Sequence, residues 1–321
     1  MIGKNNILSI VVSVYNEEDV LNVFYEMFHK ITAEFQWKYE LIFVNDGSHD
    51  RSREILDVLA KKDENVKVIH FSRNFGHEAA MIAGIDNAVG DGIICMDADL
   101  QHPLECIFPI VDKFNEGYEV ISMVRTANKS AGILKNITSK AFYKIINILS
   151  NQTSFKENAS DFFAISKNVA NVLKNNYREK NRFLRGYVQC VGFQNTTLEY
   201  TADKRAGGES HYNFRKLLKF SLNTIVCFSD FPLKISGYMG LLSALTGAIL
   251  LIYTLFTYKG APSGYATIVI MMCFFFSVLF IVLGIIGEYL AILFSELKDR
   301  PIYIIDEKEN FKELPENEET V

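Results

Sequence analysis

The sequence predicts an α/β fold: a mostly parallel sheet flanked by helices, followed by a surface helix and a pair of membrane-spanning helices. Three observations carry this. Short apolar runs alternate with segments of helical spacing over the first 124 residues, as in a sheet built from strand–helix–strand units. Polar clusters stand at the carboxyl ends of several of those runs. Two long stretches near the C-terminus carry no charge, one between Lys234 and Lys259 and one between Lys259 and Glu288.

Residues 7–14 form a continuous apolar run, the mark of a strand buried on both faces. Residues 17–35 have helical spacing, and 39–45 read as a second strand. Asp46-Gly47-Ser48 makes a turn into a helix over 52–62. A third strand over 66–71 leads to a third helix over 78–89. The fourth strand, 92–96, ends at Asp97, and Pro103 opens a helix over 103–115. A fifth strand is expected over 119–124.

Beyond it the pattern changes. Residues 133–149 are amphipathic, with Lys135, Lys140 and Lys144, and 151–158 are polar. Residues 188–200 alternate as an added strand or hairpin would. Residues 213–228 set Arg215, Lys216 and Lys219 against Leu217, Leu218, Phe220 and Leu222. This reads as a basic helix lying on a membrane surface, with an ordinary packed helix as the alternative.

Each charge-free stretch exceeds the roughly 20 residues that cross a bilayer core. Both are apolar on every face, unlike most core helices. Lys204, Arg205, Lys234 and the basic helix precede the first span, Lys298 and Arg300 follow the second, and only Lys259 lies between. The positive-inside rule then puts the N-terminal domain and the C-terminal tail in the cytoplasm of a multi-pass membrane protein. The expected divisions are a globular domain over 1–212, an interfacial helix over 213–231, a hairpin over 232–292 and a tail over 293–321. The spans themselves are expected near 235–258 and 264–290.

The 321 residues, 49% hydrophobic and 22% charged, suffice for one large domain and something smaller. No signal peptide is expected before the first strand. The net charge of -5 partly reflects acidic residues after Asp306, expected to be disordered. No nucleic-acid partner is expected. Five scattered cysteines form no Cys-x-x-Cys pair, so neither zinc nor a disulfide framework is expected.

Asp97-Ala98-Asp99-Leu100-Gln101 is the most informative stretch. Two carboxylates two residues apart at a strand end can meet one hard cation, Mg²⁺ or Mn²⁺, which takes oxygen ligands together with substrate phosphates. A solvated turn is the alternative. Asn45-Asp46 and Arg73-Asn74 stand at other strand ends, where open α/β sheets bind ligands.

Further segments occur in order: Val14-Tyr15-Asn16-Glu17-Glu18, Val44-Asn45-Asp46-Gly47-Ser48-His49-Asp50, Ser72-Arg73-Asn74-Phe75-Gly76, Arg182-Phe183-Leu184-Arg185-Gly186 and Gly287-Glu288-Tyr289-Leu290. With the Asp97–Pro103 segment they make the chain resemble the polyprenyl-phosphate glycosyltransferases of glycosyltransferase family 2. That group includes dolichol-phosphate mannose synthase and undecaprenyl-phosphate glucosyltransferases. The resemblance runs from residue 7 to about 301 and implies a GT-A type fold.

The resemblance implies that Tyr15, Asn16, Glu17 and Asp46 lie at the nucleotide, although Asn16 also suits a helix cap. It assigns Asp99 and Gln101 as metal ligands, with Asp97 near the ribose or the cation. Arg73, Arg125, Arg185 and Arg205 are candidate substrate contacts, Arg205 within a segment that includes Ser210 and resembles the family's mobile loop. The family usually has Lys where His211 stands and Arg where Phe163 stands. Asp161 is the acid of the acceptor half, either catalytic or orienting.

The expected reaction is inverting transfer of a hexose from a nucleotide-sugar, expected to be UDP-linked, to polyprenyl phosphate. The resemblance also implies a homo-oligomer. Two alternatives are a silent nucleotide-sugar sensor and a processive polysaccharide synthase. The latter is disfavoured because the only tryptophan, Trp37, stands before the second strand, so the Gln-x-x-Arg-Trp motif such enzymes usually carry is absent.

Overall fold

The computed structural model describes residues 6–126, 159–180, 182–201, 231–257 and 264–311. They form two compact units. The first is a mixed sheet with helices. Its elements are β1 (Ile7–Val14), α1 (Leu21–Thr32), β2 (Lys38–Asn45), α2 (Ser52–Lys62), β3 (Val66–Phe71), α3 (His77–Asn87), β4 (Gly92–Asp97), α4 (Ile107–Asn115) and β5 (Val120–Arg125). β6 (Ala159–Ser166), α5 (Lys167–Asn176), α6 (Leu184–Cys190), β7 (Asn195–Tyr200) and β8 (Ile305–Glu309) complete it.

The strand order is β7-β5-β6-β4-β1-β2-β3-β8. β1 to β4 run parallel to one another, and β6 runs antiparallel between β4 and β5. The central strands are mostly apolar because both faces are covered. On one face Phe24 of α1 meets Phe43 of β2 edge-on and Phe28 stacks on Phe24, within a core that includes Leu8, Ile10 and Leu41. On the other, α3 lies close to the sheet because its contact residues are small. Ala79, Ala80, Ala83 and Gly84 are buried, and a methyl group at Gly84 would collide with the Val11 side chain.

Several boundaries differ from the sequence expectation. The helix expected over 17–35 is α1, which starts at Leu21. Residues 17–20 form a turn whose Glu17 carbonyl accepts from the Val20 and Leu21 amides. The helix expected from Pro103 is a short 3₁₀ turn, Leu104–Cys106, followed by α4. The stretch 188–200 divides into the end of α6 and the strand β7. β6 was not foreseen. Nor is the tail disordered directly after Asp306: β8 pairs antiparallel with β3. Its charges belong on a sheet edge, where they face solvent and discourage further pairing.

The second unit holds α7 (Phe231–Thr257) and α8 (Tyr265–Leu297), which pack against each other. Gly247 of α7 faces the Phe275 ring of α8, with room for a methyl group between them. Leu242, Ile249 and Phe256 on α7 and Phe280 and Phe294 on α8 are exposed. Apolar surface of this extent is unfavourable in water. Both helices are long and apolar enough to cross a membrane. The expected amphipathic segment 133–149 and all but the last residue of 213–231 lie outside the described residues.

Candidate active site

The carboxyl ends of β1, β2, β3 and β4 supply one polar edge. At the end of β1, Tyr15 is 44% exposed. Asn16 adopts φ 55°, a left-handed conformation that asparagine tolerates. It does not cap α1. Its Oδ1 accepts from the His49 amide at 2.8 Å, and its own amide donates to Ser48 Oγ at 3.0 Å. The Glu17 amide donates to Ser52 Oγ at 3.0 Å. The first motif and the 45–50 turn therefore brace one another.

Asp46 is 2% exposed, and its carboxylate ties down the loop after β3. It accepts from the Phe75 amide at 2.6 Å, the Gly76 amide at 2.9 Å and Asn74 Nδ2 at 3.0 Å. Burial raises its pKa, and those amide donors pull the other way. Gly47 has φ +65°, and any Cβ there would strike the backbone of Arg73 and Asn74. The glycine thus serves both the turn and the close approach of the next loop. Arg73 is exposed, with its guanidinium 4.0 Å from the Phe75 ring centroid.

At the end of β4 the chain turns sharply. Leu100 has φ 60°, an uncommon conformation for leucine that concentrates at functional turns. The Gln101 amide donates to Asp99 Oδ1 at 3.1 Å. The His102 ring stacks on Phe162 at 4.8 Å and meets Tyr200 edge-on. Its Nδ1 accepts from the Asp97 amide at 3.1 Å. Burial lowers the His102 pKa, which suits this neutral, accepting role.

Asp97 stands opposite Ser13 in the β1–β4 register. Ser13 Oγ donates to Asp97 Oδ1 at 3.2 Å and lies 2.9 Å from His77 Nδ1. Cys95 pairs with Phe163 across β4 and β6, and the Asp97 and Asp161 charges both act on His77 and His102. Asp161 Oδ1 lies 3.2 Å from Arg185 Nε. Glu78 accepts from the Leu184 amide at 3.3 Å, which links α3 to the start of α6.

The crevice is strongly acidic. Burial, and then the Asp161 charge, raise the Glu78 pKa to about 7. Burial disfavours a charged His77, but Asp97, Asp161 and Glu78 outweigh it and raise that pKa. Such a site calls for added positive charge. Asp97, Asp99 and Gln101 offer hard oxygen donors, the chemistry of a Mg²⁺ or Mn²⁺ site completed by substrate oxygens. Among the described residues no group of three His, Cys, Asp or Glu side chains closes a metal cage by itself.

The structure thus brings Asp97 and Asp161 together, with Arg185 at Asp161, and sets Tyr15, Asn16, Glu17, Asp46, Arg73, Asp99 and Gln101 at neighbouring strand ends. Arg125, the last residue of β5, pairs in register with Tyr200, whose ring touches His102. Arg205, Ser210 and His211 lie outside the described residues. Sequence reasoning missed Ser13, His77 and Glu78. The available signal was a His-Glu pair directly after Gly76 at a helix start.

A family model for glycosyl transferase family 2 matches residues 9–173. The chain belongs to glycosyltransferase family 2. The match spans β1 to most of α5 and so includes Asp97, Asp99 and Asp161. This family 2 enzyme is 41% identical over 301 residues to the uncharacterized glycosyltransferase YkcC of Bacillus subtilis (strain 168), covering 92% of each chain. It is 36% identical over 302 residues to the SfII prophage-derived bactoprenol glucosyl transferase of Shigella flexneri, covering 93% of this chain and 97% of that one. It is also similar to the crystal structure of glucosyl-3-phosphoglycerate synthase from Mycobacterium tuberculosis in complex with UDP. That likeness has a TM-score of 0.47 at 14% identity and covers 69% of this chain and 78% of the other.

Proposed function

We propose that this glycosyltransferase moves a hexose, with glucose the leading candidate, from a UDP-sugar to polyprenyl phosphate at a membrane. The observation that carries the reading is the similarity to a bactoprenol glucosyl transferase over 93% of the chain, a stretch too long to leave out the apolar helices. The strand-end cluster of carboxylates and arginines agrees with it.

In this reading Tyr15, Asn16, Glu17 and Arg73 receive the nucleotide. Asp97, Asp99 and Gln101 hold Mg²⁺ or Mn²⁺, which when bound supplies positive charge to the departing diphosphate. Ser13 and His102 fix the orientation of Asp97, one through its carboxylate and the other through its amide. A phosphate oxygen of the lipid forms the new bond to the anomeric carbon as the bond from that carbon to the UDP oxygen breaks. UDP leaves with the electron pair, and one displacement inverts the configuration. The acceptor needs little deprotonation, because a phosphate monoester has a second pKa of about 6. Asp161, held by Arg185, therefore orients sugar and acceptor rather than taking a proton. Arg125, Arg205 and Ser210 complete the set of substrate contacts, and the working protein is a homo-oligomer with its globular domain on the cytoplasmic face.

The test uses the full-length protein in vesicles containing undecaprenyl phosphate. Labelled UDP-glucose, UDP-N-acetylglucosamine and GDP-mannose are supplied in turn, and the extracted lipid is analysed by mass spectrometry. A lipid monophosphate sugar is the expected product. Label transferred only to water or to a soluble acceptor overturns the reading. Asp99→Asn is expected to lower turnover at least about 100-fold, with an unchanged melting temperature. Normal turnover in that variant removes the metal from the mechanism.

A further inference from the structure

The chain after α8 makes contacts that the reaction above does not use. Residues 302–311 lie along β3 as a strap that contains β8. Arg53 of α2 reaches Asp306 at 2.9 Å and Glu307 at 2.6 Å. Asn310 Nδ2 donates to the carbonyls of Ala60 at 2.6 Å and Val66 at 2.8 Å. Lys308 Nζ donates to Asn87 Oδ1 at 2.8 Å. Tyr303 Oη donates to Asp86 Oδ2 at 2.7 Å, and Asp86 also pairs with Arg178. The strap is therefore seated on α2, β3 and α3 by specific polar contacts.

Covering a sheet edge needs no more than this. The strap goes further. The Ser72 amide donates to the Ile304 carbonyl at 3.1 Å. The Tyr303 ring stacks on Phe71 at 5.3 Å with planes 7° apart. Phe71 meets Phe75 edge-on at 5.6 Å, and the Arg73 guanidinium lies over Phe75. Tyr303, Phe71, Phe75 and Arg73 thus form one ladder from the strap to the loop between β3 and α3.

We propose that this strap buttresses the donor loop and that Tyr303 is a positioning residue, setting Arg73 through Phe71 and Phe75. The inference rests on the reading of Arg73 as a nucleotide-sugar contact. Its physical content is order. A stacked aromatic neighbour restricts the rotamers of Phe71 and Phe75, and so the surface over which Arg73 lies. Only residues 298–301 separate the strap from the end of α8.

The test compares full-length Tyr303→Ala and Tyr303→Phe proteins in acceptor-containing vesicles. Two readings are taken: hydrogen exchange across residues 72–76, and the separate KM values for donor and lipid. Tyr303→Ala is expected to exchange faster there and to raise the donor KM roughly three- to tenfold, the range of one aromatic pair. Its kcat and lipid KM stay within about twofold. Tyr303→Phe, which keeps the ring and loses the Asp86 bond, is expected to match the parent. Unchanged exchange and donor KM in Tyr303→Ala overturn the proposal, and so does a Tyr303→Phe protein as impaired as Tyr303→Ala. If the alanine protein does not fold, Tyr303→Leu gives the same two readings. Arg73→Ala tests the parent reading separately. An unchanged donor KM there sinks the donor role of the loop, while faster exchange in Tyr303→Ala still supports the strap's hold on it.

Discussion

Glu78 shows how one side chain carries both order and cost. It accepts from the Leu184 amide and so helps hold the start of α6, where Arg185 engages Asp161. It does so beside Asp161, and burial and that charge lift its pKa from 4.5 to about 7. An unfolded chain releases this proton near 4.5, whereas the folded protein keeps it until about 7. Between those values the folded state binds more protons, so stability falls as pH rises. Glu78→Gln keeps an acceptor oxygen and removes the ionisation. The variant is expected to match the parent near pH 4.5 and to exceed it at pH 8 by on the order of 2 kcal/mol. Thermal melts across that range check this, and parallel curves for the two proteins refute it.

At the scale of elements, the parallel core was legible because two-sided burial leaves continuous apolar runs. β1 reads ILSIVVSV and β4 reads GIICMD, and both were expected almost to the residue. β6 was not, because Ser160 and Asp161 leave it an apolar run of only four residues, 162–165, and it inserts antiparallel from a distant part of the chain. β8 reads IDEKE, which as isolated sequence looks like a solvated tail and becomes a strand only against β3. The site divides the same way. Asp97, Asp99 and Arg73 stand at recognisable strand ends, whereas Ser13 and Asp161 join Asp97 only through the order β6-β4-β1. The seating of α3 on that sheet gives a direct test. Gly84→Ala forces a methyl group into Val11 and is expected to destabilise by about 1–2 kcal/mol, despite alanine's better helix propensity. Val11→Ala clears the space, so in that background Gly84→Ala is expected to cost little in melting experiments, whatever Val11→Ala costs alone. Strictly additive effects would show that the two residues do not meet.

For the whole molecule the decisive question is how the chain lies across a bilayer. α7 and α8 expose Leu, Ile and Phe side chains that water would not tolerate, so the protein is expected to stay with membranes through an alkaline carbonate wash. Basic residues then set the direction. Lys298 and Arg300 follow α8 and Lys234 stands at the start of α7, whereas the connection between the helices has only Lys259. That imbalance predicts the connection outside and the globular domain inside, where nucleotide-sugars are available. A cysteine placed at Lys259 is expected to react with a membrane-impermeant maleimide in intact cells, whereas one placed at the exposed Lys61 of α2 reacts only after lysis. Of the native cysteines, Cys95 is fully buried and burial raises its pKa far above the thiol range; the other four are replaced by serine beforehand. Labelling of the Lys61 site in intact cells, with the Lys259 site silent, would reverse the orientation. It would also separate the carboxylate crevice from a cytoplasmic donor, and no lipid transfer of the proposed kind could then proceed.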